Sequence, residues 1–409
     1  MASEVGNFMD SRTSDLWCPV FLKRWKMKNK TKFISIILSI STLITLVSCQ
    51  KKKAEWKGTI EEVDGVTIVK NPNEPLYGEI LFDLEEDLII GREDDENYLF
   101  FRIGDIEVDG DGNIYVFEFG NRRVQKFDRD GKYIRTIGRT GEGPGEYQNP
   151  YEMLINDKRG IIGVMDMRLK LTIFDKDGNH LDKDISFEKH FHDLMIDSSG
   201  TLWGYCFKLS SDDEATADVY KVLTKLSNNG QIVEKFGKFQ WERYRERVSG
   251  GVLSISTGEE FDLYISMLGE RNIVYGYSKE YELSVIDLEG NLQTKIKKDE
   301  PYRSFTTEEK QKYKKAKLPD YKSFFYHLFA DSEERIYVQR THATRIEDVE
   351  KTFDVFSKDG YYLYKTVFPF APFVIKKGFF YTRVTNEETG EVFVKRYKII
   401  NWEQIKRGI

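Results

Sequence analysis

The chain of 409 residues carries 62 basic and 68 acidic residues, evenly mixed to a net charge of −6, with no basic stripe to attract nucleic acid. Tyr and Phe are abundant at 23 and 28, Pro is scarce at 9 and Gly reaches 31. That balance argues against a helical bundle or a disordered polymer and favours strands joined by glycine turns.

The first element along the chain is a targeting segment. "MKNKTKFISIILSISTLITLVSCQ" begins at Met27 with three lysines, runs apolar from Phe33 to Val47 and closes on "LVSC". A basic start, an apolar core and a small-residue cleavage site make a secretory signal over residues 27–48. Its closing cysteine resembles the lipobox of bacterial lipoproteins. The resemblance implies Cys49 as the acylated first residue of an exported protein, lipid-anchored on the periplasmic or outer-membrane face of the cell envelope. An uncleaved anchor is the alternative, but the apolar run of about 15 residues is short against the roughly 20 that span a bilayer. Residues 1–26 precede a complete signal, so translation is expected to start at Met27. Of the three cysteines, Cys18 falls in that extension and Cys49 at the lipid site, so Cys206 has no disulfide partner and reads as a buried hydrophobe.

After a polar tether over 49–57, one pattern keeps returning. Its clearest copy is "DIEVDGDGNIYVFEFGNRRVQKFDRDGKYIRTIG", residues 105–138, which reads as four short strands separated by "DGDG" and "DRDG" turns. Degenerate copies begin at Tyr151, His192, Phe261, Tyr326 and Pro372. A turn glycine before the last strand recurs at Gly131, Gly178, Gly230, Gly290 and Gly360. Four strands per repeat, at a period of roughly 40–50 residues, are the signature of a propeller blade. The predicted fold is all-β: a six-bladed β-propeller of four-stranded antiparallel blades over 58–401, with 402–409 as a C-terminal tail. Ring closure is expected from "TIEEV" or "VTIVK", within 59–70, pairing with the last blade near "VFVKRYKII".

The glycine-rich "RTGEGPGEYQNP", residues 139–150, fits neither phosphate-loop spacing, and Glu142 and Glu146 stand where an anion would approach. It reads as the connection from one blade to the next. With this loop, the first copy resembles the NHL repeat through "DGDGNIYV", "GNRRVQKF", "DGKY" and "GEGPGEYQNP". The signal, "GTIEEVDGVTIVKNP" and the divergent repeats together resemble the bacterial six-bladed β-propeller lipoproteins over residues 27 to about 400. The resemblance specifies fold strongly and function weakly, since such propellers include binding proteins, lyases and lactonases.

Two segments depart from plain blades. "SFTTEEKQKYKKAK", residues 304–317, opens with a Thr306-x-x-Glu309 capping box and predicts a short exposed helical insertion, either a lengthened loop or a lid over one mouth of the channel. "KFQWERYRERVSGG", residues 238–251, sets arginines beside Trp241 and Tyr244. It reads as a surface loop, or as a contact for an acidic or sugar ligand.

Neither "DGDGN" nor "DRDG" meets EF-hand spacing, and hairpin turns account for both. "DSSGTLW", residues 197–203, reads in the same way. Aligning the repeats puts Asp105, Glu152, Asp193, Asp262 and His327 where each innermost strand begins, facing the central channel. The lactonase-type relatives imply Ca²⁺ or another divalent cation there; hydrogen bonding of these acids to backbone N–H groups is the alternative. Five histidines, His180, His190, His192, His327 and His342, are too scattered over the repeats for a zinc lyase, and G-x-S-x-G does not occur. The expected function is an envelope-anchored binding or scaffold protein for a protein, peptide or glycan. The alternative is a metal-dependent hydrolase, lactonase or lyase with its cation in the channel.

Overall fold

The computed structural model describes residues 55–92, 94–212, 217–241, 244–248, 251–255, 260–312, 318–340 and 350–407. Six four-stranded antiparallel blades follow one another along the chain. Blade one comprises Ile103–Val108, Ile114–Glu118, Arg123–Phe127 and Tyr133–Ile137, from the axis outward. Ile114–Glu118 is buried at every position because both its faces pack on neighbouring blades, whereas the outermost Tyr133–Ile137 buries only one end. Blades two to five repeat this order from Pro150–Asn156, His192–Ile196, Leu263–Leu268 and Phe325–Ala330. Blade six takes only three strands from the C-terminal repeat, Val374–Lys376, Phe379–Thr385 and Val392–Ile399. Its first strand touches that of blade one, so the ring is complete.

The recurring glycine has a physical reason in the hairpin between the third and fourth strands. Gly131, Gly178, Gly230, Gly290 and Gly360 all adopt φ between 73° and 96°, a region that only glycine occupies without cost. Each also presses on the outermost strand of the preceding blade. A Cβ on Gly290 would lie 2.3 Å from the Phe236 ring, and one on Gly230 would lie 2.7 Å from Ile185. Gly131 of blade one obeys the same rule against Leu88, at 2.8 Å, although Leu88 lies far from blade six in sequence. No sixth such glycine exists because blade six has no hairpin there.

Its fourth strand is Leu84–Ile90, antiparallel to Val392–Ile399. This corrects the expected closure. The Thr59–Val63 and Val66–Asn71 hairpin, turned at Asp64 and Gly65 with φ of 51° and 79°, instead extends blade four, with Thr67–Asn71 running parallel to Thr294–Lys298. The closing strand "LEEDLII" carries no apolar alternation in its sequence, because an outermost strand is mostly solvent-facing. Between the two elements the chain runs along blade five: Tyr77 N donates to Leu363 O at 2.8 Å and Lys365 N to Gly78 O at 3.0 Å. Residues 59–90 thus cover the outer edges of blades four, five and six in turn. The buried Asn71 side chain joins two of them, donating to Gly360 O at 2.8 Å and accepting from Tyr362 N at 2.7 Å.

The remaining departures are local. Residues 402–409, expected as a tail, include the helix Trp402–Arg407, with Trp402 and Ile405 buried. The helical insertion is Thr307–Lys312, and its capping box forms: Thr306 N donates to Glu309 Oε2 at 2.8 Å and Glu309 N to Thr306 Oγ1 at 3.2 Å; residues 313–317 lie outside the described part. The 238–251 segment contains the end of the strand Ile232–Gln240 and then part of a hairpin, Tyr244–Val248 with Gly251–Ile255, where a loop was expected. In the glycine-rich connection Glu146 folds inward, accepting from Gly143 N at 2.8 Å and pairing with Arg139 at 2.6 Å. A carboxylate fills the centre of that loop.

If Leu84–Ile90 closes the ring, Ile90→Ala should destabilise the protein by about 2–5 kcal/mol in urea unfolding. Ile90 is 1% exposed, whereas Ile60 on the outer hairpin is 49% exposed, and Ile60→Ala should stay within about 0.5 kcal/mol. Equal effects would place the closure elsewhere.

Candidate functional site

The innermost strands carry a defect at matching positions. Their pairing with the second strand breaks register at Ile103/Asp105, Pro150/Glu152, His192/Met195 and Phe325/His327. A bulge re-aims the side chain beside it, and here it sits at the residue that each of four repeats offers to the axis. Asp193 lies inside its bulge with φ of 49°, a left-handed conformation that Asp tolerates better than most residues.

These side chains line a cavity of about 1090 Å³ along the axis, to which all six blades contribute. Asp105, Glu152, Asp193 and His327 all face it, joined by Glu107, His192 and Met195. Glu107 was missed by the sequence reading, although its place two residues beyond Asp105 puts it on the same strand face. Asp262 is not in the lining. Its carboxylate pairs at 2.5 Å with Lys221, a buried lysine that donates to Tyr205 Oη at 3.0 Å and lies 5.5 Å from the Trp241 ring centre. Toward the other end of the axis, Lys158 of blade two pairs with Glu270 of blade four at 2.7 Å.

All six blades ring the lumen, but it is open to solvent: Asp193 and His327 are exposed within it, and Asp105, Glu107 and Glu152 are half-buried. Desolvation, followed by the negative charge of neighbouring carboxylates, raises Asp105 and Glu152 well above the usual carboxylate range. Desolvation pushes half-buried Glu107 up to about 7, with Lys376 opposing the rise; Asp193 is raised less, because its side chain meets solvent and Lys221 opposes the rise. Desolvation also lowers His192 and His327 to about 4, so both rings are neutral near pH 7. Backbone donors partly compensate: Asp105 Oδ1 accepts from Ile106 N at 2.8 Å, and Glu152 Oε1 from Leu194 N of blade three at 2.5 Å.

No three His, Cys, Asp or Glu side chains come together as a metal-holding group among the described residues. The lumen carboxylates therefore do not fit the Ca²⁺ or other divalent cation implied by the resemblance, which needs six to eight converging oxygens. The histidines are equally dispersed. His180 is engaged with Asp184 at 2.8 Å near the outer edge of blade two, and His342 lies outside the described residues.

Residues 90–246 match the profile of a family described as a 6-bladed beta-propeller, DUF5128. No curated protein matches the chain. Among solved structures, a protein of Bacteroides fragilis named as exported is similar at 12% identity and a TM-score of 0.50, over 80% of this chain and 99% of that one. A DUF4221 family member from Bacteroides vulgatus aligns at 11% identity and a TM-score of 0.47, over 77% and 98%. A streptogramin B lyase aligns at 10% and 0.36, over 72% and 79%. At such identities the likeness is one of fold.

The raised acid pKa values set a direction for stability against pH. Asp193 contacts solvent, so its contribution to stability is small; it is fully present below its ordinary pKa, near 3.8, and lost as pH rises through its raised folded value. His192 and His327 act oppositely, losing theirs as pH falls from 6.5 toward 4. Asp193→Asn, which keeps the shape and tolerates the left-handed backbone, should raise the melting temperature at pH 8 and change it little at pH 4. A difference independent of pH would show that Asp193 is not desolvated.

Proposed function

We propose that the protein is an envelope-anchored binding module that holds its ligand, part of a protein, peptide or glycan, in the lumen of the propeller. The single observation behind this reading is the axial cavity of about 1090 Å³, large enough for a ligand and lined by side chains that register breaks turn inward. A hydrolase or lyase reading draws no support from the lumen, where the carboxylates and histidines do not gather around one point. Export fits the signal over 27–48 and the similarity to a protein named as exported. Membrane attachment rests on Cys49, outside the described residues. The first described hairpin, Thr59–Val63 with Val66–Asn71, docks on the outer edge of blade four, away from the axis of the ring.

Met195→Trp would fill the lumen from blade three. Native mass spectrometry after incubation with envelope extract should find a ligand on the wild type that this variant fails to retain, both proteins remaining folded. Equal retention, or none by the wild type, would dismiss the lumen as the binding site. For the anchor, Cys49→Ala should move the protein from the membrane fraction to the soluble one or block its processing, since stable attachment needs acyl chains. Unchanged fractionation and processing would remove the lipid.

A further inference from the structure

We infer that the lumen takes an organic cation, an ammonium or guanidinium group against the carboxylates of blades one to three and an apolar body against the wall of blades four to six; this rests on the lumen being the ligand site.

Every carboxylate that lines the lumen comes from one half of the ring. Asp105 and Glu107 come from blade one, Glu152 from blade two and Asp193 from blade three. Across a six-bladed ring stand Ile265 and Met267 of blade four, Phe329 of blade five and Phe373 of blade six. His327, neutral near pH 7, adds its ring to that wall, 5.9 Å from Phe329. Phe329 is itself held flat on Tyr337 at 4.8 Å, so it offers a fixed face.

Lys376 and Lys221 stand near enough to act on Glu107 and Asp193, but each is bonded elsewhere, to Val108 O and to Asp262. Asp105, Glu107, Glu152 and Asp193 form no ion pair with any described residue, and Asp193 accepts no hydrogen bond from one either. Arg383 reaches the cavity from blade six but donates to Ile103 O at 2.7 Å and lies 5.9 Å from the Phe373 ring. Lys351 also lines it, on the side of blade five. The neighbouring Lys221 shows the preferred arrangement within this same chain: its ammonium sits between the Asp262 carboxylate and the rings of Tyr205 and Trp241. A carboxylate on one side and aromatic faces on the other is the pairing that holds ammonium and guanidinium groups. A bare metal ion would find no three ligands together among the described residues, whereas an ammonium or guanidinium entering among these carboxyls favours their charged form and pairs with it. The cation could belong to a free amine or to a lysine or arginine side chain of a peptide.

Calorimetry on the mature chain distinguishes these cases with three probes: phenethylamine, the peptide acetyl-Ala-Lys-Phe-amide, and neutral 2-phenylethanol. At least one of the two cations should bind, more tightly than the alcohol, and the tighter of them identifies the source as free amine or peptide. The double variant Glu152→Gln/Asp193→Asn should weaken that binding at least about ten-fold, as expected for losing charged hydrogen-bond partners. Phe329→Leu, which keeps the packing and removes the ring, should weaken it about three-fold or more. Binding of 2-phenylethanol as tight as that of the cations, no binding of either cation, or cation affinity unchanged in the double variant would overturn the inference. If it falls while Met195→Trp still abolishes retention of the envelope ligand, the lumen remains the site and only the ligand class is wrong.

Discussion

Everything in this protein depends on ring closure. A blade is stable only when both its faces are covered by neighbours, so an open ring would expose the faces of two blades and a strand edge together. The chain meets this demand by returning to its own N-terminus: Leu84–Ile90 completes the blade begun by the last residues. The contact between Gly131 and Leu88 then reproduces, across the chain's two ends, the same wedge that joins consecutive blades elsewhere. The segment leading to that strand covers the edges of blades four and five on the way, which removes further places where another chain could pair.

A buried polar network joins blade four to blade five. Asp354 is fully buried and accepts from the hydroxyls of Tyr281 at 2.6 Å and Tyr362 at 2.5 Å, while Lys298 stands 3.3 Å away. Glu300 pairs with both Lys298 and Arg340. Charges buried so deeply add little net stability but cost heavily if one member is removed, so such a network fixes how two blades seat on each other. Other junctions hold smaller polar links, such as buried Asn156 of blade two donating to Ile196 O and Asp197 O of blade three at 2.8 and 2.9 Å.

A closed ring creates an axis, and the axis creates the chemistry. Strand ends that would be ordinary on an open sheet are turned by bulges into a shared space ringed by six blades. Carboxylates set there lose solvation and feel one another, so their protons are held far above the usual range. Four of the five positions picked out by aligning repeats, Asp105, Glu152, Asp193 and His327, line the lumen, because those repeats begin their inner strands at the same point. That Asp262 would turn away was not legible, because Lys221 is brought to it by a different strand. The closing strand was hidden for a related reason: "LEEDLII" is polar at its centre and belongs to no repeat, so only its partner identifies it.

Local physics wrote the blades into the sequence. Glycines at positive φ, Asp-led turns and apolar runs between them depend on nearest neighbours along the chain, and they specified the number of repeats and the strands within them. The helix start at Thr306 was equally local, since a capping box needs only four residues. What only the tertiary structure decided were pairings between distant residues: which strand closes the ring, which acids share the lumen, where register breaks, and how blades four and five lock. Those outcomes depend on distances across the ring, and no pattern along the chain carries a distance between residues that meet only after it has folded.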